Sequence, residues 1–175
     1  MTEEEYITEI LAAWPISTDD GWLGLGDPDH PVTRQAQTAL TIADRAVVEC
    51  PFSSELWCLR GDLLFLGGTH DDEERRRCYI CAVELSPTSP DAHERLGDYY
   101  DLLNQYDDAE NEYRVAIACG AGVESYRGLA SVLAQQRRTS EALAVLDEDN
   151  CPFSDDMLIR QLKAEIRTEG ARPNS

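Results

Sequence analysis

Apolar residues recur three and four positions apart along most of the chain, and almost no stretch alternates apolar and polar residues. The first spacing places side chains on one face of an α-helix, whereas alternation is typical of a strand. Gly, Pro, Asp, Asn and Ser separate the periodic stretches. The pattern predicts an all-α protein with helices at about 3–13, 32–49, 54–66, 72–85, 90–104, 107–118, 123–136, 139–148 and 155–168.

The predicted helices are joined by short linkers, so neighbours along the chain should pack as antiparallel hairpins. One longer irregular segment, PISTDDGWLGLGDPDHP at 15–31, interrupts this arrangement. Its apolar residues Trp22, Leu23 and Leu25 favour packing against the first two helices, and contact with a partner is the alternative.

A regular period is visible in the later helices. Gly61, Gly97 and Ala130 are 36 and 33 residues apart, and each precedes a large side chain by three residues. Tyr79, Tyr113 and Leu146 recur at 34 and 33 residues in the helices that follow. A fixed period of this length indicates stacked helical hairpins rather than a closed bundle.

The central hairpin resembles the tetratricopeptide repeat, a two-helix unit of about 34 residues. The residues that carry the resemblance are Leu96, Gly97, Tyr100, Ala109, Tyr113 and Ala116. In the preceding hairpin Arg60 and Arg75 stand where the signature has leucine and alanine. The small residues Gly97 and Ala109 are predicted to lie where the two helices of the central hairpin cross.

The resemblance implies one domain, 1–175, in which antiparallel hairpins stack into a short right-handed superhelix with capping helices at its ends. Its parts are an N-terminal helix and loop, a partial unit, three hairpins, a C-terminal capping helix and a tail, at 1–31, 32–52, 53–89, 90–122, 123–153, 154–169 and 170–175. Dimerisation is the alternative role of the last helix, because Leu158, Leu162 and Ile166 form an apolar stripe.

The charge of the chain narrows the choice of partners. It carries 34 acidic and 15 basic residues, a formal net charge of −19, which disfavours nucleic acid. The N-terminal stretch MTEEEYITEILAAW does not resemble an export signal, and no apolar run reaches the roughly 18 residues of a membrane span. We therefore expect a cytoplasmic protein without a membrane contact.

In tetratricopeptide-repeat proteins the first helices of successive units line a groove that binds peptides or helices. The resemblance places in such a groove Glu55, Asp62, Phe65, Asp91, Glu94, Asp98, Asp101 and Arg127. The subset of the family that grips a C-terminal carboxylate uses Lys and Asn at groove positions, where this chain has acids. An acidic groove favours a basic segment, and the alternative is that the acids form only a solvated helix face.

Two functions are consistent with a groove of this kind. The first is a non-catalytic adaptor or scaffold that recruits a basic peptide or protein segment. The second is an acidic inhibitor, of the immunity-protein kind, that blocks a basic enzyme such as a toxin nuclease. A strong dependence of association on salt would be typical of the inhibitor.

We identify no catalytic, cofactor-binding or metal-binding residues in the sequence. The three histidines, His30, His70 and His93, form no local ligand pair. Cys78 and Cys81 are predicted on one face of a helix, where packing is favoured over a metal site that would need two further ligands. We therefore expect a protein that is not an enzyme.

Overall fold

The computed structural model describes residues 1–14, 30–68 and 71–170. These residues form nine α-helices and no strand, which confirms the all-α prediction. The helices are α1 (Glu3–Ala12), α2 (Pro31–Glu49), α3 (Ser54–Leu66), α4 (Asp72–Leu85), α5 (Pro90–Leu102), α6 (Tyr106–Ala118), α7 (Val123–Gln135), α8 (Thr139–Val145) and α9 (Met157–Gly170). The predicted contacts of Trp22, Leu23 and Leu25 lie outside the described residues.

The first helices of the last three hairpins, α3, α5 and α7, are each followed by a residue with the same backbone conformation. Gly68, Asn104 and Arg137 follow α3, α5 and α7 with φ of 67°, 58° and 65°, in the left-handed region. Glycine adopts this region freely and asparagine more readily than most residues, whereas Arg137 does so at a cost of about 1–2 kcal/mol. After Asn104 and Arg137 the second helix of the hairpin begins two residues later, so these connections are short.

Side-chain caps fix where several helices begin. The hydroxyls of Ser53 and Ser89 accept hydrogen bonds from the backbone N–H groups of Leu56 and Ala92, at the starts of α3 and α5. The Asp71 carboxylate does the same for α4. Each cap satisfies a backbone donor that has no partner within its helix. The boundaries predicted from polar residues consequently lie within about three residues of the observed ones.

The chain divides into two compact units, Met1–Pro87 (unit 1) and Thr88–Ser175 (unit 2). In unit 1, α1 packs on α2, α2 on α3, and α3 on α4. Its core is built from Tyr6, Ile10, Ala36, Ala39, Ala43, Ala46, Leu56, Leu59 and Leu63. In unit 2, the hairpins α5–α6 and α7–α8 pack on each other and are followed by α9. Its core is built from Ala109, Tyr113, Leu129, Ala130, Leu133, Ala142, Leu146, Ile159 and Ile166.

The small residues of the hairpins make room for a tyrosine ring. A Cβ atom on Gly97 would lie 2.9 Å from Cδ1 and Cε1 of Tyr113. A Cβ on Gly128 of α7 would also lie too close to Cζ of that ring for an ordinary contact. The sequence predicted that Gly97 lies where two helices cross closely. In the structure, the group that a side chain at this position would meet is the buried Tyr113 ring.

The same arrangement occurs in unit 1 and is replaced in the last hairpin. A Cβ on Gly61 would lie 2.5 Å from Cε1 of Tyr79. In the last hairpin Ala130 and Leu146, both fully buried, stand at the equivalent positions. A methyl group is therefore accepted where the ring is absent.

The C-terminal helix α9 buries two residues of the predicted stripe, Ile166 fully and Leu162 in part, with Ile159 taking the place of Leu158. Ile159 and Ile166 are buried in the core of unit 2, whereas Leu158 is 41% exposed. Its Arg160, Glu165 and Arg167 are exposed. This division into an apolar inner and a polar outer face is what a capping helix requires, and the capping role stays a prediction.

Candidate interaction surface

The four predicted acids of unit 2 lie along α5. Asp91, Glu94, Asp98 and Asp101 are three or four residues apart, so they share one face of this helix. Asp91 and Asp98 are exposed, whereas Glu94 and Asp101 are partly buried. We call these four side chains the α5 acidic face.

Hydrogen-bond donors from α6 and α7 hold three of these carboxylates. The Tyr113 hydroxyl on α6 donates to Oδ1 of Asp98 over 2.6 Å. The Ser125 hydroxyl on α7 donates to Oε2 of Glu94 over 2.5 Å, and Nε2 of Gln135 donates to Oδ1 of Asp101 over 3.3 Å. Because these three donors are uncharged, they orient the acids without cancelling their charge.

Tyr113 is suited to this role by its environment. Burial raises the pKa of its hydroxyl, and the nearby Asp98 carboxylate acts in the same direction. The hydroxyl therefore stays protonated and remains a donor. The ring packs closely against both Gly97 and Gly128, and this packing restricts the position of the hydroxyl that holds Asp98.

Ionisation of the Asp101 carboxyl is less favourable in the folded protein than in water. Burial raises the pKa of this carboxyl, and the hydrogen bond from Gln135 offsets only part of that effect. A partly desolvated carboxylate of this kind is stabilised by an approaching cation.

Arg127, the one basic residue of the predicted groove, is engaged by its own helix. Its Nη1 lies 2.6 Å from Oε2 of Glu124, three residues earlier on α7. The pair is partly exposed, so its contribution to stability is small. Within the pair, the Glu124 carboxylate offsets the charge of the guanidinium.

The predicted groove residues of unit 1 lie on α3. Glu55 is exposed, and the carboxylate of Asp62 accepts a hydrogen bond of 2.8 Å from the Tyr79 hydroxyl. Phe65 is 46% exposed. The guanidinium carbon of Arg75 lies 5.0 Å from the centre of the Phe65 ring.

The donors that orient the acids were not predicted from the sequence. Tyr79 and Tyr113 were recognised only as recurring residues of the repeat pattern, and Gln135 only as a further groove-facing position. Ser125 was not distinguished from other polar positions. A signal for the tyrosines is present, because Gly61-Asp62 and Gly97-Asp98 are each followed by a tyrosine in the next helix. No comparable signal marks Ser125 or Gln135, because both meet their acids across two hairpins.

Comparison with known proteins finds similarity to one family of helical repeats. Residues 103–155 match the family model of the tetratricopeptide repeat. A thermophilic tetratricopeptide-repeat protein of Thermus thermophilus has a similar structure, with a TM-score of 0.64 and 20% identity, covering 95% of this chain and all of that one (100%). The fold is that of a tetratricopeptide-repeat protein.

Two other solved structures have the same repeat fold. The tetratricopeptide-repeat domain of Sgt2 from Aspergillus fumigatus matches with a TM-score of 0.58 and 17% identity over 80% of each chain. The MamA protein matches with a TM-score of 0.57 and 16% identity, covering 99% of this chain and 86% of that one. No curated protein matches in sequence.

One departure from the repeat signature is explained by hydrogen bonds. Arg60, in place of leucine, donates from Nε to Asp44 of α2 and from Nη1 to Glu74 and to Sγ of Cys78, both on α4. It therefore ties three helices of unit 1 together. Burial raises the pKa of the Cys78 thiol to about 11 although Arg60 acts in the opposite direction, so this thiol is protonated near neutral pH.

The other candidate chemistry also has a structural explanation. His93, 6% exposed, has Nδ1 at 2.6 Å from Oε2 of Glu112, and this hydrogen bond joins α5 to α6. Across residues 1–14, 30–68 and 71–170, no three His, Cys, Asp or Glu side chains are grouped as a metal site would require. His70 lies outside these ranges. Among the helices described, none is both long and apolar enough to cross a membrane.

Proposed function

We propose that this tetratricopeptide-repeat protein is a non-catalytic interaction module that binds a basic segment of a partner protein through the α5 acidic face. The observation that carries the proposal is the way in which uncharged donors hold Glu94, Asp98 and Asp101. Carboxylates whose geometry is fixed before binding lose less conformational entropy when a lysine or arginine side chain approaches. Charge-assisted hydrogen bonds to such carboxylates are also stronger than neutral ones.

A solvated helix face is the competing explanation, and the geometry argues against it. Exposed acids on such a face are expected to extend into water with only neighbours on their own helix. Here the three donors come from α6 and α7, and Ser125 is fully buried. Asp101 is in addition partly desolvated, which has no benefit for an isolated helix face.

The proposal can be tested by capturing partners from a lysate of the protein's native source, with mass spectrometry to identify them. The test variant carries Asp91→Asn, Glu94→Gln, Asp98→Asn and Asp101→Asn. A matched control removes the same charge at exposed positions of unit 2 away from α5, through Asp108→Asn, Glu148→Gln, Asp149→Asn and Asp155→Asn.

We expect a basic partner to be captured by the unmodified protein and by the control, and lost from the test variant. Equal capture by all three proteins would refute the α5 acidic face as the binding site. Equal loss from both variants would show that only the overall charge matters. A set of related segments that exchange quickly would identify an adaptor, whereas one tightly held enzyme would identify an inhibitor.

A further inference from the structure

Unit 1 presents a partly exposed aromatic ring beside acidic side chains. Phe65 lies in the last turn of α3 and is 46% exposed. Its ring rests against the guanidinium of Arg75, which is only 6% exposed and lies in the first half of α4. Nη2 of Arg75 is also 3.3 Å from Oδ1 of Asp72. The ring is therefore supported from beneath by a side chain that is itself held in place.

At the positions equivalent to Phe65 and Arg75, the other hairpins have different types of residue. With the spacing of the repeats, Phe65 stands where the next two hairpins have Asp101 and Ala134. Arg75 stands where they have Ala109 and Ala142, both fully buried. Alanine evidently fills this internal position well, so packing alone does not require an arginine there.

A buried arginine has to be compensated for its loss of water. Stacking on an aromatic ring supplies part of that compensation, since the guanidinium is attracted to the face of the ring. A ring that served only this purpose would be expected to be covered. Instead nearly half of Phe65 remains accessible, on the helix that also presents Glu55 and Asp62.

These observations indicate which kind of partner side chain would bind to Phe65. Because a cation already lies on Phe65, a second cation on the ring would be repelled by the first, and an apolar side chain is the better ligand. Asp62 is one helical turn away on the same face and is held by Tyr79. A lysine or arginine beside the apolar side chain would reach this carboxylate.

We propose that Phe65 is an apolar anchor point that selects, within a basic segment, an apolar side chain next to a lysine or arginine. The inference depends on the proposed function only in taking the partner to be basic. It concerns unit 1, whereas the α5 acidic face belongs to unit 2, so each can fail without the other.

The test uses two synthetic peptides of equal length and charge as probes. One repeats Lys-Ser-Leu-Ser, so that in an extended chain lysine and leucine project to the same side. The other repeats Lys-Ser-Ser-Ser. Each is titrated into the isotope-labelled full-length protein, and the backbone NMR shifts are recorded.

We expect the leucine peptide to move the resonances of Glu55, Asp62 and Phe65, and the serine peptide to leave Phe65 unmoved. An unmoved Phe65 with the leucine peptide would overturn the anchor. Separately, α5 resonances unmoved by either peptide would count against the proposed function. The two failures are thus read from different helices of the same spectra.

Substitutions give the second measurement. Phe65→Ser should reduce the preference for the leucine peptide, the ratio of the two dissociation constants, by about fivefold or more, because the guest loses its apolar contact. The matched control is Phe52→Ser, at a phenylalanine that is 86% exposed and precedes α3. It should leave the ratio unchanged. An unchanged ratio in Phe65→Ser, or an equal fall in both variants, would refute the anchor.

Discussion

The contact between Gly97 and Tyr113 allows a sharp test of how the central hairpin is packed. In Gly97→Ala, the added Cβ would lie 2.9 Å from two ring carbons of Tyr113. Ordinary contacts between carbon atoms are about 3.5–4.0 Å, so the ring has to retreat by roughly 0.6 Å or more. Gly128 of α7 also lies close to this ring, which limits the room available for that movement.

The expected free energies follow from these contacts. Overpacking of a core costs about 1–3 kcal/mol, and a strained hydrogen bond to Asp98 adds to that cost. Alanine has a better helix propensity than glycine by about 1 kcal/mol, which acts in the opposite direction. We therefore expect Gly97→Ala to lower the free energy of unfolding by about 1–2 kcal/mol.

The Tyr113→Leu background supplies the control. Together with Gly97→Ala it recreates the pair found in the last hairpin, where Ala130 and Leu146 belong to the same core. With the ring removed, Gly97→Ala should instead stabilise unit 2 by about 1 kcal/mol, which gives a coupling energy of about 2–3 kcal/mol between the two sites.

The four proteins of this cycle can be compared by urea unfolding followed by circular dichroism. Hydrogen exchange of the buried amides in α5–α7 measures the same differences for unit 2 alone. If Gly97→Ala has the same effect in both backgrounds, the ring does not determine the need for glycine and the explanation is wrong.

Three further predictions concern charged side chains. Because burial raises the pKa of Asp101, ionisation of this carboxyl opposes folding. Asp101→Asn should therefore stabilise the protein at neutral pH, and this gain in stability should vanish below the ordinary carboxyl pKa of about 3.9. Urea unfolding at a series of pH values measures both effects. The Glu110 side chain is 7% exposed and is paired with Arg114 and Arg138. Glu110→Gln should therefore lower the free energy of unfolding by about 1–3 kcal/mol, as measured by urea unfolding. Arg60→Leu restores the signature residue yet should lower the thermal midpoint, because the buried Cys78 and the partly buried Glu74 lose their donor.

The sequence was sufficient to predict the helices because their limits depend on local chemistry. Ser53 and Ser89 cap the helices that follow them, and the left-handed positions after α3, α5 and α7 recur with the sequence period. Contacts between hairpins could not be predicted in the same way. The bond from Ser125 to Glu94 joins residues 31 apart, and nothing in either local sequence requires it.

The departures from the repeat signature carry the information that the signature itself lacks. Matching residues such as Gly97 and Ala109 establish the hairpin and are shared by repeats with unrelated partners. Arg60 and Arg75 weaken the match in sequence, yet each makes specific contacts: one ties α2 and α4 to α3, and the other supports Phe65. A buried arginine is tolerated only where such contacts offset its desolvation. For Phe65, the proposed choice of partner is therefore argued from a departure from the family pattern, the buried Arg75.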